Sequence, residues 1–204
     1  MTLYRFLRGL VKYPCKLMYM LSVRGLENEP AGQPYILCAN HTSNNDVMLL
    51  GITLRSHLHF FAKDSLFKVP VIGRLLRHIG TLSVDRSSQN GSFTAIKQSI
   101  ALLKEGKVVG IFPQGTREPG VAPEDIEPKS GIGMIVFHSK CRVLPVCIKS
   151  KGWRTRFFHR SRLIIGKPIE YGEFGFTNGR NGEFEKASKL IFNRIAELAG
   201  ESDK

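Results

Sequence analysis

The residues best suited to catalysis lie at positions 40–46, whose sequence is NHTSNND. His41 precedes Asp46 by five residues, just after an apolar run and just before an apolar helical pattern. A neutral imidazole accepts protons near pH 7, and a neighbouring carboxylate fixes its tautomer and stabilises its charged form. This spacing predicts a general base that activates a hydroxyl group. The structural alternative is a hydrogen-bonded loop histidine and an aspartate that stabilises a helix dipole.

A second segment, residues 112–117 with the sequence FPQGTR, is suited to binding an anion. Gly115 lets the backbone approach a ligand closely, Thr116 offers a hydroxyl group, and Arg117 offers a planar fork for phosphate. The alternative is a tight turn that carries a surface arginine.

Two further segments have less certain roles when each is taken alone. Residues 80–84, with the sequence GTLSV, form a predicted strand that ends at Asp85 and Arg86, where a second guanidinium is available or the two side chains form a surface ion pair. Residues 143–146 form an apolar run with an internal Pro145. Because proline cannot donate a hydrogen bond to a neighbouring strand, this run is either an unusual central strand or an edge strand.

Short apolar runs alternate with helical patterns along the chain, and this order positions the candidate residues. Strands are predicted over residues 35–39, 58–62, 80–84, 108–112, 143–148 and 163–165, and helices over 46–54, 71–78, 92–104, 131–139 and 184–198. The alternation indicates a single α/β domain with a mixed, largely parallel central sheet flanked by helices. Ligands of open α/β sheets bind beyond the carboxyl ends of strands. His41, Arg86 and the 115–117 loop each follow a predicted strand, so we expect them to meet at one edge.

The composition favours one core and an anionic partner. The 204 residues, 42% of them hydrophobic, are enough for one sizeable core, and no linker or repeat divides them. The 30 Lys and Arg against 17 Asp and Glu give a net charge of +13, which favours a nucleic acid, a membrane surface or a phosphorylated substrate. The four cysteines lack C-x-x-C spacing, so we expect reduced, mostly buried thiols.

Residues 1–24 are expected to form an amphipathic helical segment that associates with a membrane, and residues 25–204 the α/β domain. Basic residues fall on one helical face, apolar residues on the other, and the segment contains no acid. This pattern is typical of a helix in the plane of a bilayer surface; the alternative is an ordinary amphipathic helix packed on the domain. Pro14 is expected to split the segment into two helices. No apolar run approaches the roughly 18 residues of a membrane span, and Lys12 and Lys16 interrupt what would be a signal-peptide core.

Together and in this order, the four segments resemble the glycerolipid acyltransferase family, which includes the 1-acyl-glycerol-3-phosphate acyltransferases. Residues 40–46 are similar to the first family motif, Asn-His-x-Ser-x-x-Asp, residues 80–86 to the second, 112–117 to the third and 143–146 to the fourth. The resemblance covers about residues 35–150. It implies a single α/β domain bound to the cytosolic face of a membrane, peripheral or monotopic, which agrees with the basic amphipathic N-terminus.

The resemblance also implies a reaction. His41 would remove a proton from the hydroxyl of 1-acyl-glycerol-3-phosphate, the alkoxide would attack the thioester of acyl-CoA or acyl-carrier protein to give phosphatidate, and Asp46 would stabilise the imidazolium. The implied partners are this lysophospholipid, the acyl donor and an anionic membrane surface, with no bound cofactor and no nucleic acid. The alternatives are another lyso-lipid or glycerol 3-phosphate as acceptor, or a non-catalytic basic protein that binds membranes or nucleic acid.

The family motifs further imply which residues surround the substrates. Those implied to bind the acceptor phosphate are Arg86, Gly115, Thr116 and Arg117. Those implied to border the acyl donor are Val143, Leu144 and Pro145. The third motif commonly contains glutamate where this chain has Gln114. Glutamine keeps hydrogen-bonding capacity and loses the charge, so we expect Gln114 to contact the acceptor hydroxyl through a hydrogen bond.

Residues 149–160, with the sequence KSKGWRTRFFHR, interleave cations with aromatic side chains. Such interleaving suits anionic headgroups, a CoA phosphate or single-stranded nucleic acid, and the alternative is a solvated loop. No metal-ligand spacing occurs in the chain, and His41 with Asp46 lacks a third candidate ligand. We therefore expect no metal site.

Overall fold

The structure is a computed structural model that describes residues 3–85 and 90–200. A six-stranded sheet forms its centre. The strands of this sheet are β1 (Ser22–Arg24), β2 (Ile36–Ala39), β3 (Leu58–His59), β6 (Val108–Ile111), β7 (Val143–Ser150) and β8 (Ser161–Ile165). Two further strands, β4 (Phe61–Lys63) and β5 (Leu82–Val84), lie outside it. The helices are α1 (Leu3–Met18), α2 (Asp46–Thr53), α3 (Asp64–Phe67), α4 (Pro70–His78), α5 (Gly91–Lys104), α6 (Gly131–Ser139) and α7 (Asn181–Gly200).

The sheet is mixed and largely parallel. Its strand order is β1-β8-β7-β2-β6-β3, and among these neighbours only β7 and β8 pair in the antiparallel direction within the described residues. Strands β4 and β5 pair in parallel as a separate two-stranded sheet. The predicted α/β class with a largely parallel central sheet is therefore confirmed.

The central strands are buried on both faces because helices cover each side of the sheet. On β2, Leu37 and Ala39 point into an apolar layer beneath α1 and α2, whereas Ile36 and Cys38 point into a second layer beneath α5, α6 and α7. Successive side chains of a strand alternate between faces, so one short apolar run supplies both layers.

The predicted strand over residues 58–62 is two strands in different sheets. Strand β3 pairs with β6 in the central sheet, and β4 pairs with β5 in the small sheet. Phe60 lies between them, with its side chain buried and its carbonyl oxygen accepting the N–H of Leu82 at 2.8 Å. A continuous apolar run cannot reveal such a change of partner strand.

Pro14 does not split the N-terminal helix, so that prediction is wrong. Helix α1 runs through Pro14, which is exposed. The neighbouring Cys15 is buried in the layer shared with α2. Packing of this inner face holds the helix together across the position where one backbone hydrogen bond is missing.

Strand β7 is a central strand, so the edge-strand alternative for residues 143–146 is wrong. It lies between β2 and β8. Its pairing with β8 begins at Val146, opposite Ile165, and Pro145 lies just before that point. The carbonyl oxygen of Pro145 still accepts the N–H of Gly166 at 2.9 Å, so the strand tolerates the missing donor.

The N-terminal segment is joined to the α/β domain by its inner face. Cys15, Tyr19 and Leu21 are buried in the core layer beneath α1 and α2, and β1 pairs with β8. A division into two parts at residue 24 stays a prediction. Within residues 3–85 and 90–200, no helix has the length and apolar character needed to cross a membrane.

The four cysteines are free thiols, as predicted. Cys15, Cys38 and Cys147 are buried, and Cys141 is half-buried. Burial raises the pKa of the Cys147 thiol to about 12, so it is protonated and unreactive at neutral pH.

Candidate active site

His41 and Asp46 lie side by side at the carboxyl end of β2. The strand ends at Ala39, and Asp46 is the first residue of α2. Nδ1 of His41 lies 3.0 Å from Oδ2 of Asp46, and both residues are buried. When the carboxylate accepts the Nδ1–H, the other ring nitrogen carries a lone pair that can accept a proton.

Asp46 holds the whole turn that carries His41. Its Oδ2 also accepts the backbone N–H groups of Thr42 at 2.7 Å and Ser43 at 2.8 Å. One carboxylate oxygen therefore orients both the imidazole and the backbone around it. The helix-start role and the histidine-orienting role of Asp46 are thus compatible.

The segment after β6 holds His41 on three sides. The Gln114 side-chain oxygen accepts the His41 backbone N–H, and the Glu118 backbone N–H donates to the His41 carbonyl at 2.9 Å. The His41 ring stacks on Phe112 with centroids 3.9 Å apart and an interplanar angle of 13°. The two strongest candidate segments of the sequence therefore meet, because β2 and β6 are adjacent parallel strands.

Gln114 is buried rather than placed on an open surface. Its relative exposure is 2%, and its side-chain nitrogen has no hydrogen-bond partner among the described residues. The contact with the His41 backbone makes it a positioning group. Its predicted contact with an acceptor hydroxyl stays a prediction.

Two residues outside the predicted set hold the site from the β7 side. The Asn40 side chain accepts the Ile148 backbone N–H at 2.7 Å and donates to the Ile148 carbonyl at 3.0 Å, which extends the pairing of β2 with β7. The Thr42 and Thr155 hydroxyl oxygens lie 3.0 Å apart. Asn40 stands beside His41 in the sequence, whereas nothing local marks Thr155.

A cavity of about 290 Å³ opens beside His41. Ile96, Ile111 and Ile132 supply apolar wall, and His41 and Lys129 supply polar groups. Its size lies near the lower end of small-molecule sites. The imidazole therefore lines a space whose wall is largely apolar and includes one cation, Lys129.

Lys129 is a cation beside the site that the motif analysis did not identify. Gly115 has a φ of +74°, and a Cβ at that position would lie 3.0 Å from the Lys129 Nζ. The Lys129 backbone N–H also donates to the Pro113 carbonyl at 2.9 Å. The available signal was its position in the acid-free stretch between Glu127 and Glu170. Thr116 and Arg117, further along the same loop, are exposed.

Comparisons with known proteins show the family of this chain. A protein-family model described as Acyltransferase matches residues 20–149. The chain belongs to the acyltransferase family. The 1-acyl-sn-glycerol-3-phosphate acyltransferase of Bacillus subtilis is 30% identical over 205 residues, which cover 99% of this chain and 100% of that relative. The Saccharomyces cerevisiae enzyme of the same name is 28% identical over 192 residues, which cover 90% of this chain and 63% of the relative.

A solved structure supports the same assignment. The crystal structure of the 1-acyl-sn-glycerophosphate (LPA) acyltransferase PlsC from Thermotoga maritima has a TM-score of 0.70 and 25% sequence identity, and the match covers 100% of this chain and 86% of that chain. This protein is therefore an enzyme of the acyltransferase family, and the non-catalytic alternative is set aside.

Not all of the predicted site residues of the acyltransferase are placed near His41 in the structure. Arg86 lies outside the described residues. Val143, Leu144 and Pro145 are buried in the middle of β7, and Pro145 is in register with Cys38 on β2. Pro145 lines a larger cavity of about 500 Å³ between β8 and α7, away from the His–Asp pair. The acyl-donor role of these three residues stays a prediction.

The basic and aromatic stretch of the acyltransferase packs against the site at its start. The Trp153 carbonyl accepts the Gly120 N–H at 2.9 Å, and a Cβ at Gly120 would lie 3.1 Å from the Arg154 guanidinium. Residues 156–160 are exposed. Among the described residues no group of three or more His, Cys, Asp and Glu side chains could hold a metal ion.

Proposed function

We propose that this acyltransferase moves a fatty acyl group from acyl-CoA or acyl-carrier protein to the free hydroxyl of 1-acyl-glycerol-3-phosphate, and so forms phosphatidate for phospholipid biosynthesis. The names of the Bacillus subtilis and yeast relatives support the acceptor. The observation that carries the proposal is the buried His41–Asp46 pair, 3.0 Å apart, with His41 at the wall of a cavity that is lined by apolar side chains and by Lys129.

His41 acts as the general base. Nε2 takes the proton of the acceptor hydroxyl while its oxygen attacks the thioester carbonyl, and Asp46 stabilises the resulting imidazolium. The tetrahedral intermediate collapses with cleavage of the C–S bond, and the imidazolium returns its proton to the departing thiolate. The new bond is an ester, and no acyl-enzyme forms. The protonated, buried thiol of Cys147 is consistent with this route.

Basic residues bind the acceptor phosphate. Arg117 and Arg86 supply guanidinium groups, and Gly115 and Thr116 supply backbone and hydroxyl donors. Lys129 joins this set because its ammonium group lies beside Gly115 and at the cavity wall. A phosphate held there leaves the glycerol hydroxyl free to reach His41.

The enzyme works at the cytosolic face of a membrane, to which it binds peripherally through α1. Four exposed apolar side chains of the N-terminal segment and two from the basic and aromatic stretch form what we term the α1 surface. They are Leu10, Tyr13, Leu17, Met20, Phe157 and Phe158. The two parts adjoin, because the Phe158 N–H donates to the Met18 carbonyl at 2.6 Å. Lys12 and Lys16 add charge for anionic headgroups.

The experiment that tests the reaction uses purified full-length protein in mixed micelles with labelled acyl-CoA or acyl-carrier protein and lysophosphatidate. We expect labelled phosphatidate, with turnover lowered by about 10²–10⁴ in His41→Ala. The far-ultraviolet circular dichroism of the variant should match the wild type. Glycerol 3-phosphate and other lyso-lipids are run in parallel, and faster turnover with one of them would reassign the acceptor. Most activity retained in His41→Ala would sink the mechanism.

A further inference from the structure

Exposed apolar side chains occur on a second surface besides the α1 surface. Among the described residues, every exposed large apolar side chain outside the α1 surface except Phe93 lies between residues 66 and 75. These residues, which we term the hairpin surface, are Leu66, Val69, Val71, Ile72 and Leu75. They belong to α3, α4 and the turn between them, and Val71 is 80% exposed. Such a patch marks a docking site when its surroundings identify the partner.

The apolar face of α4 points away from the protein because the opposite face of the helix packs closely against α3. Gly73 is buried, and a Cβ at that position would lie 2.2 Å from the Phe67 carbonyl oxygen. Glycine there lets α4 pack directly on the end of α3. Val71, Ile72 and Leu75 therefore remain outside, next to Arg74 and Arg77.

The charges around the hairpin surface are complementary to anionic lipid. Residues 63–78 contain four Lys and Arg and a single acid, Asp64. That acid forms an ion pair with Lys68 at 3.2 Å, while Arg74 and Arg77 are exposed beside the apolar side chains. Apolar side chains flanked by cations match the acyl chains and anionic headgroups of a bilayer surface.

The hairpin formed by α3 and α4 is attached to the connection between α2 and β3, and α1 is attached to the same connection. The Arg8 guanidinium donates to the carbonyl groups of Leu54 and Arg55 at 2.7 and 2.9 Å. His57, two residues further on, has a ring nitrogen 2.8 Å from the carbonyl oxygen of Ile79, at the end of α4. One short segment therefore ties both amphipathic elements to the domain.

We propose that the hairpin surface is a second bilayer contact, specific for anionic lipid, which acts together with the α1 surface. A bilayer is the partner because this enzyme acts on a lysophospholipid, and to that extent the inference rests on the proposed function. The contact also brings the bilayer near the reaction. Strands β4 and β5, which flank the hairpin, place Phe61 and Val84 in the wall of the cavity beside His41.

The test is co-sedimentation of the full-length protein with vesicles of phosphatidylcholine alone or mixed equally with phosphatidylglycerol. The hairpin variant is Val71→Asp with Leu75→Asp. The matched control is Ala101→Asp with Asn193→Asp, which makes the same charge change at exposed positions of α5 and α7. We expect the partition coefficient of the hairpin variant on the mixed vesicles to fall by about tenfold or more relative to the control.

A charge variant tests the lipid specificity separately. Arg74→Gln with Arg77→Gln should lower binding to the phosphatidylglycerol vesicles and leave binding to phosphatidylcholine alone unchanged. Its control is Lys104→Gln with Lys186→Gln, which removes two exposed cations elsewhere. Circular dichroism and thermal melting establish that each variant is folded.

Equal partition of the hairpin variant and its control would overturn the proposal. The proposal would also be overturned if the wild type self-associates and the hairpin variant abolishes that self-association without changing vesicle binding. The hairpin surface would then bind a second copy of the protein. The readout requires no turnover. If the wild type makes no phosphatidate but the hairpin variant loses vesicle binding, only the proposed reaction is contradicted. If the wild type makes phosphatidate but the hairpin variant binds vesicles as well as its control does, only this inference is contradicted.

Discussion

At the scale of single residues, His41 is held by contacts to both its ring and its backbone. Asp46 fixes Nδ1, Gln114 and Glu118 bind the backbone on either side, and Phe112 stacks on the ring. A general base contributes most when its lone pair is aimed before the substrate arrives. The family pattern predicts that His41 is the base, and these contacts would aim its free ring nitrogen.

Gln114 offers a test of positioning against charge. Gln114→Glu keeps an oxygen that can accept the His41 N–H, so we expect a small change in kcat and unchanged acceptor preference. Gln114→Leu leaves that buried N–H without an acceptor, at a cost of about 1–3 kcal/mol, and should lower kcat much more. Steady-state kinetics with lysophosphatidate and glycerol 3-phosphate measure both. A large change of acceptor preference in Gln114→Glu would instead show that charge at this position selects the acceptor.

At the scale of elements, the start of α7 is held by a carboxylate whose ionisation follows from its contacts. The Glu183 side chain accepts the Thr177 hydroxyl and the N–H groups of Asn178 and Gly179. The Thr177 hydroxyl, followed by these backbone donors, lowers the pKa of Glu183 to about 2 from a usual 4.5. Helix α7 covers one face of the sheet, so its first turn bears on the stability of the whole core.

This carboxylate predicts an acid-side loss of stability. Because the folded pKa lies below the unfolded value, the contribution of Glu183 is fully present above about pH 4.5 and is lost as pH falls through about 2. We expect Glu183→Gln to lower the free energy of unfolding at pH 7 and to match the wild type near pH 2. Urea titrations at both pH values measure this, with Glu185→Gln as control. A difference that is equal at both pH values would contradict the assignment.

At the scale of the whole molecule, the net charge of +13 and the apolar α1 surface both suit the proposed bilayer partner. Helix α1 packs its inner face on α2 and leaves Leu10 and Leu17 63% and 80% exposed. The two alternatives that the sequence presented are therefore compatible, because α1 packs on the domain with one face and leaves an apolar face exposed. Its contact with a bilayer stays a proposal until it is measured.

The α1 surface predicts salt-dependent binding to vesicles. Raising the salt concentration should release the protein from phosphatidylglycerol-containing vesicles, because the headgroup attraction is screened. Leu10→Asp with Leu17→Asp should lower partition by about tenfold or more without lowering the melting temperature, since both side chains are exposed. The Ala101→Asp with Asn193→Asp protein is again the control. Vesicle binding unchanged by the α1 substitutions would leave α1 as a packing helix only.

The sequence by itself determined the α/β class and the family, and it predicted the catalytic pair. Those features are local: five residues separate His41 from Asp46, each motif is a short run, and strand and helix periods are visible within one element. Local patterns gave wrong or incomplete predictions where the structure of a segment depends on contacts with distant parts of the chain. Pro14 stays within one helix, residues 58–62 divide between two sheets, and Pro145 lies in a central strand.

Only the tertiary structure decided what surrounds His41 and which faces remain open. Strand order places β6 and β7 on either side of β2, and that arrangement brings Gln114, Lys129 and Thr155 to a histidine more than 70 residues away in the chain. Such contacts depend on the packing of distant segments, which no local spacing contains. The hairpin surface follows the same principle, because the packing of Gly73 against α3 decides which side chains of α4 face outward.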